Sequence, residues 1–158
     1  MSVELSPIIA GVMNWGVWDK NLNTKEFAHL INLFIENGIT TFDHADIYGG
    51  YTTEASFGKA LSGSKIDRKK IQLITKCGIQ YISENRPNNS IKHYEYSKDY
   101  IIWSAENSLK NLQTDYLDVF LLHRPSPLMQ ADEIAEAVSK LKADGKILSF
   151  GVSNFTSS

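Results

Sequence analysis

The sequence predicts an α/β fold of parallel βαβ units, with roughly five strands and four helices in a single domain. Three observations predict it. Short apolar, β-branched runs alternate along the chain with stretches of helical period, the pattern of parallel strands joined by crossover helices. The strands are apolar in runs more than in strict alternation, as in sheets covered by helices. Polar, chemistry-bearing residues gather after the second, third, fourth and fifth strands, which favours a barrel over an open flavodoxin-like sheet. No glycine-rich phosphate loop follows the first strand, which weakens a dinucleotide-binding version of the open sheet.

Taken in order, Ile8-Ile9-Ala10-Gly11-Val12 is an apolar run too short for a helix, followed by the turn-prone Asn14-Trp15-Gly16. Asn23 with Glu26 forms an N-cap with an acid at the third helical position. Phe27, Leu30, Ile31, Phe34 and Ile35 then recur at helical spacing, and Gly38 supplies the stop. Residues 39–45 read as the second strand and residues 53–61 as a short helix. Residues 71–75 read as the third strand. The Asn-rich stretch from Ile79 to Tyr96 has no clear period. Ser97 caps a helix with Ile101, Ala105, Leu109 and Leu112 on one stripe. Tyr116 to Leu122 is a strand, with Asp118 its charged interior member. Leu128 to Asp144 is a helix burying Ala131, Ile134, Ala135, Val138 and Leu141. Ile147 to Val152 is the fifth strand.

Composition excludes several function classes. A chain of 158 residues with net charge −2 buries a real core but lacks the positive field of a nucleic-acid or anionic-membrane binder. Its tightest basic group, Arg68-Lys69-Lys70, reads as a solvated turn before a strand. No run approaches the roughly 20 apolar residues of a spanning helix. Cys77 is the only cysteine, so no intrachain disulfide forms. Together with the absence of a signal-like N-terminus, this makes a reducing, cytoplasmic location the expectation. No metal-ligating set is assigned.

The candidate catalytic residues are Asp43, Tyr48, Lys76 and His123, delivered near the ends of successive strands. Barrels assemble active sites at that face. A free phenol, with a pKa of about 10, is a poor acid at neutral pH. An adjacent ammonium lowers that pKa, and a carboxylate holds the ammonium in place. An imidazole can hydrogen-bond a carbonyl and share the proton transfer. Singly, each has a plain structural role: Asp43 capping a turn, Lys76 solvated, His123 satisfied before Arg124-Pro125. As an arrangement, they leave a hydrolase or lyase open.

The motifs themselves resemble a known family. Phe42-Asp43-His44-Ala45-Asp46-Ile47-Tyr48-Gly49 resembles the strand-two signature of the aldo-keto reductases. Ile74-Thr75-Lys76-Cys77-Gly78 resembles that family's lysine motif, and Leu121-Leu122-His123-Arg124-Pro125 its histidine motif. Gly151-Val152-Ser153-Asn154-Phe155 resembles the strand-five motif. The resemblance implies a (β/α)8 TIM barrel and NADPH-dependent reduction of a small aldehyde or ketone. It makes Tyr48 the proton donor, Lys76 and Asp43 its tuning pair, and His123 the carbonyl orienter. Ser153 and Asn154 would bind the nicotinamide carboxamide of NADP(H), and Met13 and Asn14 occupy the region after strand one that lies near the ring. His44 is expected to pack, and Asp46 to shape the turn without catalytic role. A noncatalytic nucleotide-sensing or interaction subunit on the same scaffold is the alternative.

The chain also departs from the family pattern. Gly78 stands where many relatives carry a bulky pocket aromatic, so the substrate side is expected to be open or filled from the long loop. Within that loop, Tyr81, His93, Tyr94 and Tyr96 are candidates to close over a ligand; Trp15 and Trp18 are candidate pocket walls. A closed barrel takes about 250 residues. Residues 1–158 are therefore expected to form an incomplete, truncated barrel domain, lacking the basic residues that grip the adenosine phosphate. Its first and fifth strands are expected to present bare edges, with self-association through them.

Overall fold

The computed structural model of the chain describes residues 3–156. The strands in chain order are β1 (Ile9–Gly11), β2 (Thr41–Asp43), β3 (Gln72–Cys77), β4 (Ile79–Gln80), β5 (His93–Tyr94), β6 (Leu117–Leu122) and β7 (Ile147–Val152). Five of them make one parallel sheet in the order β1-β2-β3-β6-β7. Each neighbour in that sheet is the next member in sequence, as in a barrel wall. An open flavodoxin-like sheet would place its second strand outside the first. The remaining two strands pair antiparallel as a small hairpin, Ile79 opposite Tyr94 and Gln80 opposite His93. The long connection is therefore folded, where the sequence offered no period.

The helices are α1 (Thr24–Glu36), α2 (Tyr48–Tyr51), α3 (Thr53–Ser62), α4 (Lys98–Leu112) and α5 (Ala131–Ala143). Four match the expected set. The fifth, α2, is a tight turn whose Gly49 and Gly50 have left-handed backbone angles. At the start of α1, the Asn23 side chain accepts from the backbone of Lys25 and Glu26, and Glu26 accepts in return from the Asn23 backbone. That reciprocal cap is the one expected. Helix α5 begins three residues later than expected and buries Ala137 and Leu141. Ala131 and Ala135 face solvent instead. The stripe that packs is Ile134, Ala137, Val138 and Leu141: three of its members are the expected ones, and Ala137 is buried in place of Ala131 and Ala135.

The core lies between the sheet and the layer formed by α1, α3, α4 and α5. Phe27, Ile31, Phe42, Phe57, Leu73, Ile101, Leu112, Phe120 and Leu141 are fully buried there. Trp15 belongs to this core: its ring stacks on Phe34 at 5.6 Å and meets Phe27 and Phe42 edge-on. It is a core residue that also borders the hollow beside β1. Arg68 is not a solvated turn residue either. Its guanidinium donates to Asp118 at 2.6 Å and to the carbonyls of Ile71 and Tyr116, tying the starts of β3 and β6 together.

Candidate active site

The parallel ladder continues past the strand ends, and this positions the chemistry-bearing residues. His44 N–H donates to Ile74, Asp46 N–H to Lys76, His123 N–H to Cys77 and Ser153 N–H to Leu122. Asp43, Lys76, His123 and Ser153 thus emerge at one end of the sheet. The Lys76 ammonium donates to both carboxylate oxygens of Asp43 at 2.7 Å and to the His44 carbonyl at 2.8 Å. Its nitrogen also stands 3.4 Å from the Tyr48 hydroxyl. The His123 ring lies edge-on to Tyr48 at 6.2 Å between centroids. All four predicted catalytic side chains are brought together.

Their electrostatics differ from the sequence expectation at one point. The Tyr48 phenol is not lowered but pushed up to about 12, first by burial and then by the Asp43 carboxylate. Asp43 neutralises the cation that was to acidify the phenol, and the ammonium's short bonds go elsewhere. Tyr48 therefore holds its proton throughout the neutral range. His123 is held down at about 4 by burial, with the charges of Lys76 and Arg124 adding to it. Its imidazole is neutral at pH 7 and offers one N–H.

Ser153 and Asn154 follow β7 beside His123. The Asn154 amide nitrogen donates to the His123 carbonyl at 3.1 Å and to Ser153 Oγ at 2.8 Å. Ser153 keeps its own hydroxyl proton to donate, and Asn154 Oδ1 remains an acceptor. A donor beside an acceptor fits a primary carboxamide. Met13 and Asn14 follow β1 and, with Gly11, Trp15, Leu22 and Leu30, line a hollow of about 480 Å³ by the sheet edge.

The surroundings divide the remaining candidates. Trp18 is exposed and meets Tyr48 edge-on at 6.2 Å and Tyr81 at 6.4 Å, so it borders Tyr48 directly. Of the loop residues, Tyr81 reaches this neighbourhood, whereas His93 and Tyr94 point to solvent. Tyr96 is buried, and its ring fills the space a side chain at Gly78 would need. Its hydroxyl donates to the Arg124 carbonyl at 2.6 Å. The space beside Gly78 is thus filled from the loop. His44 packs edge-on against Phe57 at 4.4 Å, as expected.

A buried acidic pair lies behind the strand that carries Lys76, and Glu54 in it carried no sequence signal. Thr75 donates to Glu54 at 2.6 Å, and Tyr100 donates to Asp46 at 3.2 Å. Burial, followed by the charge of Glu54, raises the Asp46 carboxyl to about 8. Among the described residues, no cluster of three or more His, Cys, Asp or Glu forms a metal site, and no helix is long and apolar enough to cross a membrane.

The sequence pattern of the Aldo/keto reductase family matches residues 7–158. An uncharacterized oxidoreductase of Bacillus subtilis, YcsN, is 50% identical over 97% of this chain. Oxidoreductase YdhF of Escherichia coli is 46% identical, and a 6-dehydroglucose reductase of Agrobacterium fabrum 40%, each over 97% of the chain. Among solved structures, the holo form of aldo-keto reductase AKR11C1 from Bacillus halodurans superposes with a TM-score of 0.80. It is 31% identical over 97% of this chain and 47% of its own. The chain spans about half the length of the curated relatives it matches, 50% of the first two.

Proposed function

Since the chain belongs to the aldo/keto reductase family, we propose that it carries the proton-transfer half of an NADP(H)-dependent carbonyl reductase. The observation that supports this most is the single ammonium of Lys76, bonded to Asp43 and within reach of Tyr48, beside a neutral His123. The substrate is a small aldehyde or ketone, and the expected setting is the cytoplasm.

NADP(H), when bound, supplies the hydride that reduces the carbonyl carbon. The Ser153 hydroxyl and Asn154 Oδ1 would hold its carboxamide, with Met13 and Asn14 bordering the same side. His123 donates its N–H to the carbonyl oxygen and orients it. Tyr48 gives that oxygen its phenolic proton, completing the alcohol. A phenol near 12 is a weak acid in the resting site. The phenolate left behind, however, faces a cation already fixed 3.4 Å away. Stabilisation is thus largest where charge develops, the arrangement that accelerates a chemical step. Trp18 and Tyr81 give the substrate side an aromatic wall. The sugar substrate named for the Agrobacterium relative is compatible with such a wall, and a small keto-sugar is accordingly one of the test substrates.

The test follows NADPH consumption with a reactive aldehyde by a full-length barrel carrying this sequence. Tyr48→Phe is expected to lower kcat by about 10²–10⁴-fold, the contribution typical of a positioned acid. Wild-type turnover in that variant would remove Tyr48 from the chemistry.

A further inference from the structure

The turn that follows Tyr48 has three consecutive residues with left-handed backbone: Gly49 at φ 60°, Gly50 at φ 67° and Tyr51 at φ 70°. Glycine adopts this conformation freely, and it fills the first two positions. A bulky side chain at the third is a steric outlier. Strain of this kind persists only where the surroundings over-determine it. The side chain of Tyr51 must therefore contribute something that glycine would not.

The hydrogen bonds, ring stacking and cation–π contact of that side chain all go to the long connection between β3 and α4. The Tyr51 hydroxyl donates to the Ile79 carbonyl at 3.3 Å and accepts from the Tyr81 N–H at 3.2 Å. Its ring stacks on Tyr81 at 5.1 Å, and the Arg86 guanidinium caps it at 4.6 Å. The same connection grips the turn's backbone. Asn85 donates to the Gly50 carbonyl at 2.8 Å, and the Tyr81 hydroxyl donates to the Ile47 carbonyl at 3.4 Å. These anchors bracket Tyr48 on both sides in sequence.

We propose that Tyr51 is a positioning residue for Tyr48: its ring is the handle by which the β4–β5 hairpin holds the Tyr48 turn in one conformation. The hairpin is then a strap across the turn. Asn85 is a second, weaker handle. The role rests on the reading of Tyr48 as proton donor, but the clamp can be tested apart from any reaction.

A fluorotyrosine placed at position 48 reports its surroundings by fluorine NMR at neutral pH. Wild type is expected to give one narrow resonance. Tyr51→Gly relieves the backbone strain and removes the handle, so the folded variant should lose the single line to broadening or splitting. Tyr51→Phe keeps the stacked ring and should restore it. Asn85→Ala, a surface change that keeps the fold whatever Tyr51→Gly does, should broaden the line to a smaller degree. An unaltered narrow line in Tyr51→Gly would overturn the proposal. Where Tyr51→Gly is too unstable to observe, Tyr51→Leu, which keeps the bulk but removes the stacked ring and its hydroxyl, takes its place, and an unaltered line there overturns the proposal equally. Tyr48→Phe turnover tests the donor assignment separately, so either idea can fail alone.

Discussion

At the scale of single residues, burial decides more than charge pairing. Asp46 sits within the sheet–helix layer with one carboxylate oxygen unpartnered, and its pKa stands at about 8 against an ordinary 3.8. A group raised on folding contributes stability that is complete below its unfolded pKa and is lost as pH rises through the folded one. Asp46 therefore costs nothing near pH 3.8 and progressively more up to about pH 8. Asp46→Asn mimics the neutral form. It is expected to unfold at higher urea than wild type above neutrality, by on the order of a few kcal/mol at pH 8, with no advantage near pH 4. A pH-independent difference between the two would mean that the carboxyl is not held neutral. The sequence could place Asp46 in the turn but not reveal this, because its depth and its neighbour Glu54 depend on α3 and α4 closing over it. The same lesson applies to Tyr48. Its partners were legible from spacing along the strands, while its elevated pKa was not, since the geometry of three side chains sets it.

At the scale of elements, the strands and helices that were legible are those whose own sequence carries a period or a cap. Helix α1 has both Asn23 and a full apolar stripe, and it lies where expected. The β4–β5 hairpin has two residues per strand and no alternation; nothing local could announce it. Arg68 was misread for a related reason: three of its partners, Thr114, Tyr116 and Asp118, are 46 to 50 residues away in sequence. It docks the turn before β3 onto β6, with Asp118 also accepting from the Leu73 N–H at 2.8 Å. Removing one member of such a half-buried pair strands the other charge. Arg68→Ala is expected to destabilise the chain by about 3 kcal/mol, read as a shift in denaturation midpoint. Arg68→Lys should recover little, because an ammonium cannot reproduce the guanidinium fork. The double variant with Asp118→Ala should cost less than the sum of the single changes. Additivity would show that the two side chains act independently.

At the scale of the whole molecule, the sheet has two sides without a neighbour among the described residues. Strand β1 leaves Ile9 43% exposed, and β7 leaves Leu148 and Val152 at 47% and 50%. The sequence foretold these edges by counting strands, since a closed barrel uses eight. Each edge offers unpaired backbone groups, which template pairing with another strand. Burying one such aliphatic side chain fully is worth about 1.5–3 kcal/mol. Several together can outweigh part of the entropy lost on association. The described chain is therefore expected to self-associate at micromolar concentration, with sedimentation velocity showing species larger than a monomer that dissolve on dilution. Charge placed on the edge opposes this pairing, so a Leu148→Lys and Val152→Lys double variant should return the chain to a monomer while leaving its circular dichroism unchanged. Weak NADPH binding is expected of both forms, because Ser153 and Asn154 provide one corner of a cofactor cleft. A strictly monomeric wild-type chain at these concentrations would mean that the edges are shielded by twist or solvation. The association driven by β1 and β7 would then have to be abandoned, although the Asp43–Lys76–Tyr48 cluster, which lies at the strand ends within the sheet, would be untouched.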